Sequence, residues 1–134
     1  MASAPSIMIV DDDPVLRLAA GEVLRQQGYT VREAEDGTEA LSRLREAGVD
    51  LVIVDMLMPH KEGVETIREV KAAWPATRVL AISGGGQHLR STQVLSLATM
   101  VGADATFEKP LRPAAFLEAV QALLADDGRA AARA

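Results

Sequence analysis

Three apolar runs constrain this chain more than anything else in it. SIMIV (6–10), LVIVD (51–55) and RVLAIS (78–83) have no polar residue in their interiors. A strand with one face in water alternates apolar and polar side chains; a strand covered on both faces does not. TVREA (30–34) does alternate, as expected of a strand nearer an edge, and ATF (105–107) is a short fifth candidate. Between these runs the apolar residues keep helical spacing: Leu16, Ala20, Val23 and Leu24; Ala40, Leu41 and Leu44; Ile67 and Val70; Val94, Leu97 and Ala98; Phe116, Leu117, Val120 and Leu124. Gly28 and Gly48 stand where helix C-termini belong, and Pro75 closes the third helix.

Strand and helix alternating five times imply an α/β fold. A parallel five-stranded sheet is expected, doubly wound with helices on both faces, in the flavodoxin-like order 2-1-3-4-5. At 134 residues the chain is one domain. Residues 6–125 make that domain, and 126–134, small and polar, are expected to be a flexible tail. A net charge of −5 with no basic stripe argues against DNA binding. No apolar run approaches the ~18 residues of a membrane span. The lack of cysteine excludes thiolate chemistry and fits the cytoplasm.

In open parallel sheets, function gathers at the carboxyl ends of the strands. Asp11 and Asp12 follow the first strand, Asp55 ends the third, and Ser83 ends the fourth, followed by Gly84, Gly85 and Gly86. Lys109 and Pro110 follow the fifth. In the order 2-1-3-4-5 these groups converge. Asp13 separates from its neighbours because it precedes Pro14, the pairing expected of a helix N-cap and first helical position. The remaining carboxylates repel: two unit charges ~5 Å apart cost roughly 3 kcal/mol at an effective dielectric of ~20. A hard divalent cation removes that cost, and Mg²⁺, which takes oxygen ligands, suits Asp11, Asp12 and Asp55.

The motifs IVDDD, DLVIVDMLMPHKEG, AIS and GADATFEKP, in this order and on these elements, resemble the receiver domain of two-component response regulators. The resemblance spans roughly 6–125 and implies a stand-alone regulator. Asp55 would accept a phosphoryl group from a histidine kinase or histidine phosphotransfer protein. Asp12 and Asp55 would bind Mg²⁺ directly, Asp11 through water, with the backbone carbonyl of Leu57 adding an oxygen. Ser83 would hydrogen-bond a phosphoryl oxygen and Lys109 would pair with the phosphoryl group or Asp55. The Lys109–Pro110 bond is expected to be cis. Output would pass through an unidentified protein target or onward phosphotransfer.

Two departures from the family bear on switching. Thr106 occupies a position often aromatic in receivers, and alternation turns the neighbouring Phe107 to the other face. The segment from Ser83 to Lys109 is also longer than usual. The expected switch is therefore Ser83 moving with Gly84, Gly85 and Gly86. Leu57 and Gly85, at positions that can orient a hydrolytic water, cannot do so through a side chain, so slow self-dephosphorylation is expected.

Other conspicuous residues read as structural. Met56, Met58 and Trp74 are expected to pack, Pro59 and Gly63 to shape the loop after the third strand, and His60 and His88 have no metal-ligand spacing. IMIVDDDPV also resembles the opening of haloacid-dehalogenase-type phosphatases, with Asp11 as nucleophile and Asp13 as general acid. That reading leaves Asp55 without a role. A flavodoxin-like flavin site needs a phosphate-cradling first loop, and three aspartates there would repel a phosphate.

Overall fold

The computed structural model describes residues 4–56, 62–84, 96 and 98–133. Five strands form one parallel sheet: β1 (Ser6–Val10), β2 (Thr30–Ala34), β3 (Leu51–Asp55), β4 (Arg78–Ser83) and β5 (Ala105–Glu108). Their order is β2-β1-β3-β4-β5, so the chain reverses direction across the sheet between β1 and β3. The three apolar runs are the three interior strands, and β2 and β5 are the edges. The helices are α1 (Pro14–Gln26), α2 (Gly37–Glu46), α3 (Glu62–Ala73) and α4 (Pro113–Arg133). Residues 98–100 are helical as well, in line with the spacing through Ala98; Val94 and Leu97 lie outside the described residues.

The interior strands divide their side chains between two cores. Met8, Val10, Val52, Val54, Val79 and Ala81 face α2 and α3, packing on Leu44, Ile67 and Val70. Ile7, Ile9, Leu51, Ile53, Leu80 and Ile82 face α1 and α4, packing on Leu24, Phe116 and Val120. Every one of these residues is almost completely buried. That is why the runs lack alternation: neither face meets water. Trp74 and Met56 belong to the first core, as their expected packing role requires.

Helix ends follow the local sequence. Asp13 is the N-cap of α1, its Oδ1 accepting from the amides of Val15 (2.9 Å) and Leu16 (3.4 Å), with Pro14 at the first helical position. Asp36 caps α2 by accepting from the Glu39 amide at 2.8 Å. The Glu39 carboxylate turns back to the Glu35 amide at 2.7 Å, and this bond holds its pKa below the usual range. Gly28 takes φ +92° after α1, a conformation that glycine adopts without cost. At the end of α2, by contrast, the chain turns into extended backbone at Ala47, and Gly48 is not left-handed. The last helix, α4, runs on through residues 126–133. The segment is rich in alanine, the strongest helix former, which outweighs a cost of about 1 kcal/mol for Gly128.

Candidate phosphoryl-acceptor and cation site

The parallel register sets the site. Val10 pairs with Val54 and Asp55 pairs with Ile82, so β1, β3 and β4 end at one level. Asp11 follows β1 at once, its amide extending the pairing by donating to Ala34 O at 3.1 Å. Asp55 is the last residue of β3 and Ser83 the last of β4. The Lys109 amide donates to Ser83 O at 2.9 Å, which brings the end of β5 to the same place. The Lys109–Pro110 bond is cis.

One oxygen each from Asp11, Asp12 and Asp55 lie within 4.8 Å of one another. Asp11 and Asp55 are 2% and 5% exposed, whereas Asp12 faces solvent. The Lys109 ammonium stands 3.7 Å from Asp11 Oδ2 and 3.5 Å from Asp55 Oδ2. Three carboxylates and one ammonium leave two negative charges when all are ionised, which a divalent cation neutralises. All the side-chain donors are hard oxygens, so the residues fit Mg²⁺ rather than a thiophilic metal. Burial pushes the Asp11 carboxyl up to about 6. The negative charge of Asp55 adds to the rise, while the hydrogen bond from the Asp13 amide and the Lys109 ammonium work against it.

Ser83 is fully buried, and Gly84 after it is half-buried. Thr106 pairs with Ala81 and is exposed, whereas Phe107 pairs with Ile82 and sits edge-on to Phe116, ring centres 6.2 Å apart. The two side chains point to opposite faces, as alternation requires. Leu57, Met58, Pro59, His60, Gly85, Gly86 and His88 lie outside the described residues. Gly63 has a tight environment: a Cβ there would lie 2.8 Å from Met56 Cα and 3.1 Å from Asp55 O. The first turn of α3 therefore rests directly on the end of β3.

Sequence reading missed Arg17. Its Nη1 donates to the backbone oxygen of Asp11, and its Nε donates to Glu33 Oε1 at 3.1 Å. Its position offered a signal: Arg17 lies one turn into α1, four residues after the cap, where a long side chain can return to the loop it left.

Buried strand-end acids, a lysine just beyond the last strand and a doubly wound sheet define a class of signalling domain. The family model for the response regulator receiver domain matches residues 7–121, and the chain belongs to that family. Among curated relatives, it is 32% identical to the chemotaxis protein CheY of Bacillus subtilis (strain 168), covering 90% of this chain and 98% of that protein. It is 30% identical to the transcriptional regulatory protein ResD of the same strain, over 88% of this chain but only 47% of ResD. It spans 9% of the sensor kinase CckA of Brucella abortus (strain 2308). Among solved structures, a CheY-like receiver domain protein from Methanospirillum hungatei JF-1 superposes with TM-score 0.86 at 25% identity, covering 95% of this chain and 98% of that one.

The phosphatase alternative is not favoured. The Asp13 carboxylate is engaged in capping α1, which is not the work of a free general acid. The chain also lies within the receiver family over most of its length.

Proposed function

We propose that this chain is a phospho-acceptor of two-component signalling that works in the cytoplasm. It takes a phosphoryl group onto Asp55 from a histidine kinase or histidine phosphotransfer protein, then signals by phosphorylation-dependent protein binding or by passing the group on. The observation that carries the reading is the Lys109 ammonium within 4 Å of both buried carboxylates, Asp11 and Asp55.

An Asp55 oxygen attacks phosphorus and forms the new P–O bond while the P–N bond to the donor histidine breaks. The ring nitrogen of the donor keeps the bonding electron pair. Nucleophile and phosphoryl group are both anionic, so the barrier is largely electrostatic. Lys109 offers a positive charge where the phosphoryl oxygens arrive. Mg²⁺, held by Asp11, Asp12 and Asp55 with the Leu57 carbonyl as a further oxygen, would supply the remaining charge neutralisation. Asp11 keeps the lysine close and contributes to the cation site without attacking. Ser83, at the end of β4, is poised to donate its hydroxyl to a phosphoryl oxygen as a charge-assisted hydrogen bond.

That bond draws Ser83 towards Asp55 and is the proposed start of the switch. Thr106 is too small to fill the vacated space as an aromatic side chain would. The movement passes instead to Gly84, Gly85 and Gly86, where glycine lowers the cost of backbone rearrangement.

Labelling with acetyl phosphate and Mg²⁺ tests the assignment. The wild-type chain is expected to take up one phosphoryl group and Asp55→Asn none. Labelling of Asp55→Asn at the wild-type rate would overturn the choice of acceptor.

A further inference from the structure

We propose that Arg17 is a positioning residue for the cation site. Held by Glu33, its guanidinium fixes the peptide between Asp11 and Asp12, and so the direction in which the Asp12 carboxylate leaves the backbone. The inference rests on the reading of Asp11, Asp12 and Asp55 as Mg²⁺ ligands.

Asp11 is held at every polar atom. Its amide donates to Ala34 O, its Oδ1 accepts from the Asp13 amide at 2.9 Å, and its Oδ2 faces Lys109. Its backbone oxygen accepts from Arg17. The peptide group is planar, so fixing that carbonyl fixes the Asp12 amide and the line on which the Asp12 Cα lies. Asp12 itself is exposed. Its carboxylate reaches the cluster by where the backbone launches it, not by burial.

Arg17 can do this because it is held in turn. The β1–β2 register sets Glu33 beside Ile9, two residues before Asp11. Glu33 accepts from Arg17 Nε through Oε1 and pairs with Arg25 Nη2 at 3.5 Å through Oε2. The Arg17 side chain is only 17% exposed. One arm of the fork is fixed by a carboxylate and the other aims at the carbonyl, a two-point grip that a lysine cannot reproduce.

Charge and position predict opposite signs. Arg17 puts a positive charge beside a site for a divalent cation, so on charge alone its removal tightens Mg²⁺ binding. If Arg17 positions Asp12, its removal weakens binding despite the relief of repulsion. Groups that orient metal ligands typically change metal affinity by about ten- to a hundredfold when removed.

The test is calorimetric titration of the metal-free chain with Mg²⁺, comparing wild type, Arg17→Met, Arg17→Lys and Asp12→Ala. Both Arg17 variants are expected to bind at least about tenfold more weakly than wild type. Binding as tight as wild type in either variant overturns the inference, and tighter binding in Arg17→Met assigns the residue a purely electrostatic effect. Should Arg17→Met fail to fold, Arg17→Lys, which keeps the charge and the long side chain, decides alone. If wild type and Asp12→Ala bind Mg²⁺ equally, or wild type does not bind it, the cation site is wrong and the inference falls with it.

Discussion

Lys109 Nζ lies 3.5 Å from Asp55 Oδ2, joining the end of β5 to the end of β3 although β4 lies between those strands. The cis Lys109–Pro110 peptide follows at once, and the lysine amide is tied to Ser83 O. Lys109→Ala leaves two buried carboxylates without their ammonium and the incoming phosphoryl group without a counter-charge. Its labelling by acetyl phosphate at saturating Mg²⁺ should be slower by about a hundredfold, the usual effect of removing one charge-stabilising donor. A rate within twofold of wild type would remove Lys109 from the transfer step.

Asp11 gives the metal-free protein a pH dependence. Its folded-state pKa, raised by burial to about 6, exceeds that of the unfolded chain. The folded state therefore holds the proton more tightly. Stability from this group is full below about pH 4 and is lost as pH rises through about 6. Asp11→Asn cannot ionise, so it should unfold later than wild type at pH 7, by roughly 2 kcal/mol, with the difference vanishing near pH 4. Mg²⁺ should narrow or reverse the difference at pH 7 by stabilising wild type more than the variant. Denaturant melts of both proteins at several pH values, with and without Mg²⁺, check each part.

Gly63 tests the contact between α3 and β3. Helix propensity favours alanine over glycine by about 1 kcal/mol. A Cβ there would stand 2.8 Å from Met56 Cα, a backbone atom that cannot swing aside. Overpacking typically costs about 1–3 kcal/mol, so the clash should win and Gly63→Ala should lower stability. The same shift would move Asp55 O, 3.1 Å from the new atom, and should slow labelling as well. A stabilised variant labelling at the wild-type rate would show that the two elements separate freely.

On the proposed reading a protein phosphodonor brings its histidine to Asp55 past Lys109 and the neighbouring helix α1. That helix exposes Val15 at 73% and Leu18 at 60%. Val15 also lines an apolar groove of about 390 Å³ that runs between Asp13 and Lys109 towards Phe116. Val15→Asp and Leu18→Asp should slow transfer from a phosphorylated protein donor about tenfold, as loss of an interface anchor does. Labelling by acetyl phosphate, which needs no docking face, should be unchanged. Equal losses with both donors would mean that the substitutions act on the site itself.

The periodicity of the sequence was enough for the fold. Apolar runs of five or six residues without alternation, bounded by polar residues, fit strands covered on both faces, and such strands, alternating with helical segments, leave few topologies open. The bounds of β1, β2, β3 and β4 read from the sequence agree with the structure, and β5 is longer by one residue, Glu108. Local chemistry likewise identified the Asp13 cap, because capping depends on neighbours along the chain. Other features depend on distances between segments far apart in sequence. The placing of Lys109 against Asp11 and Asp55 and the burial that raises Asp11 arise only when β1, β3 and β5 are brought level, and the lack of room for a side chain at Gly63 arises from the packing of α3 on the end of β3. The hold of Arg17 on the Asp11 carbonyl needs Glu33, from a different strand, to fix its other arm. A sequence states which groups a chain carries and which face of an element they occupy. Which groups meet, and how far each is removed from water, is decided by the packing of the sheet.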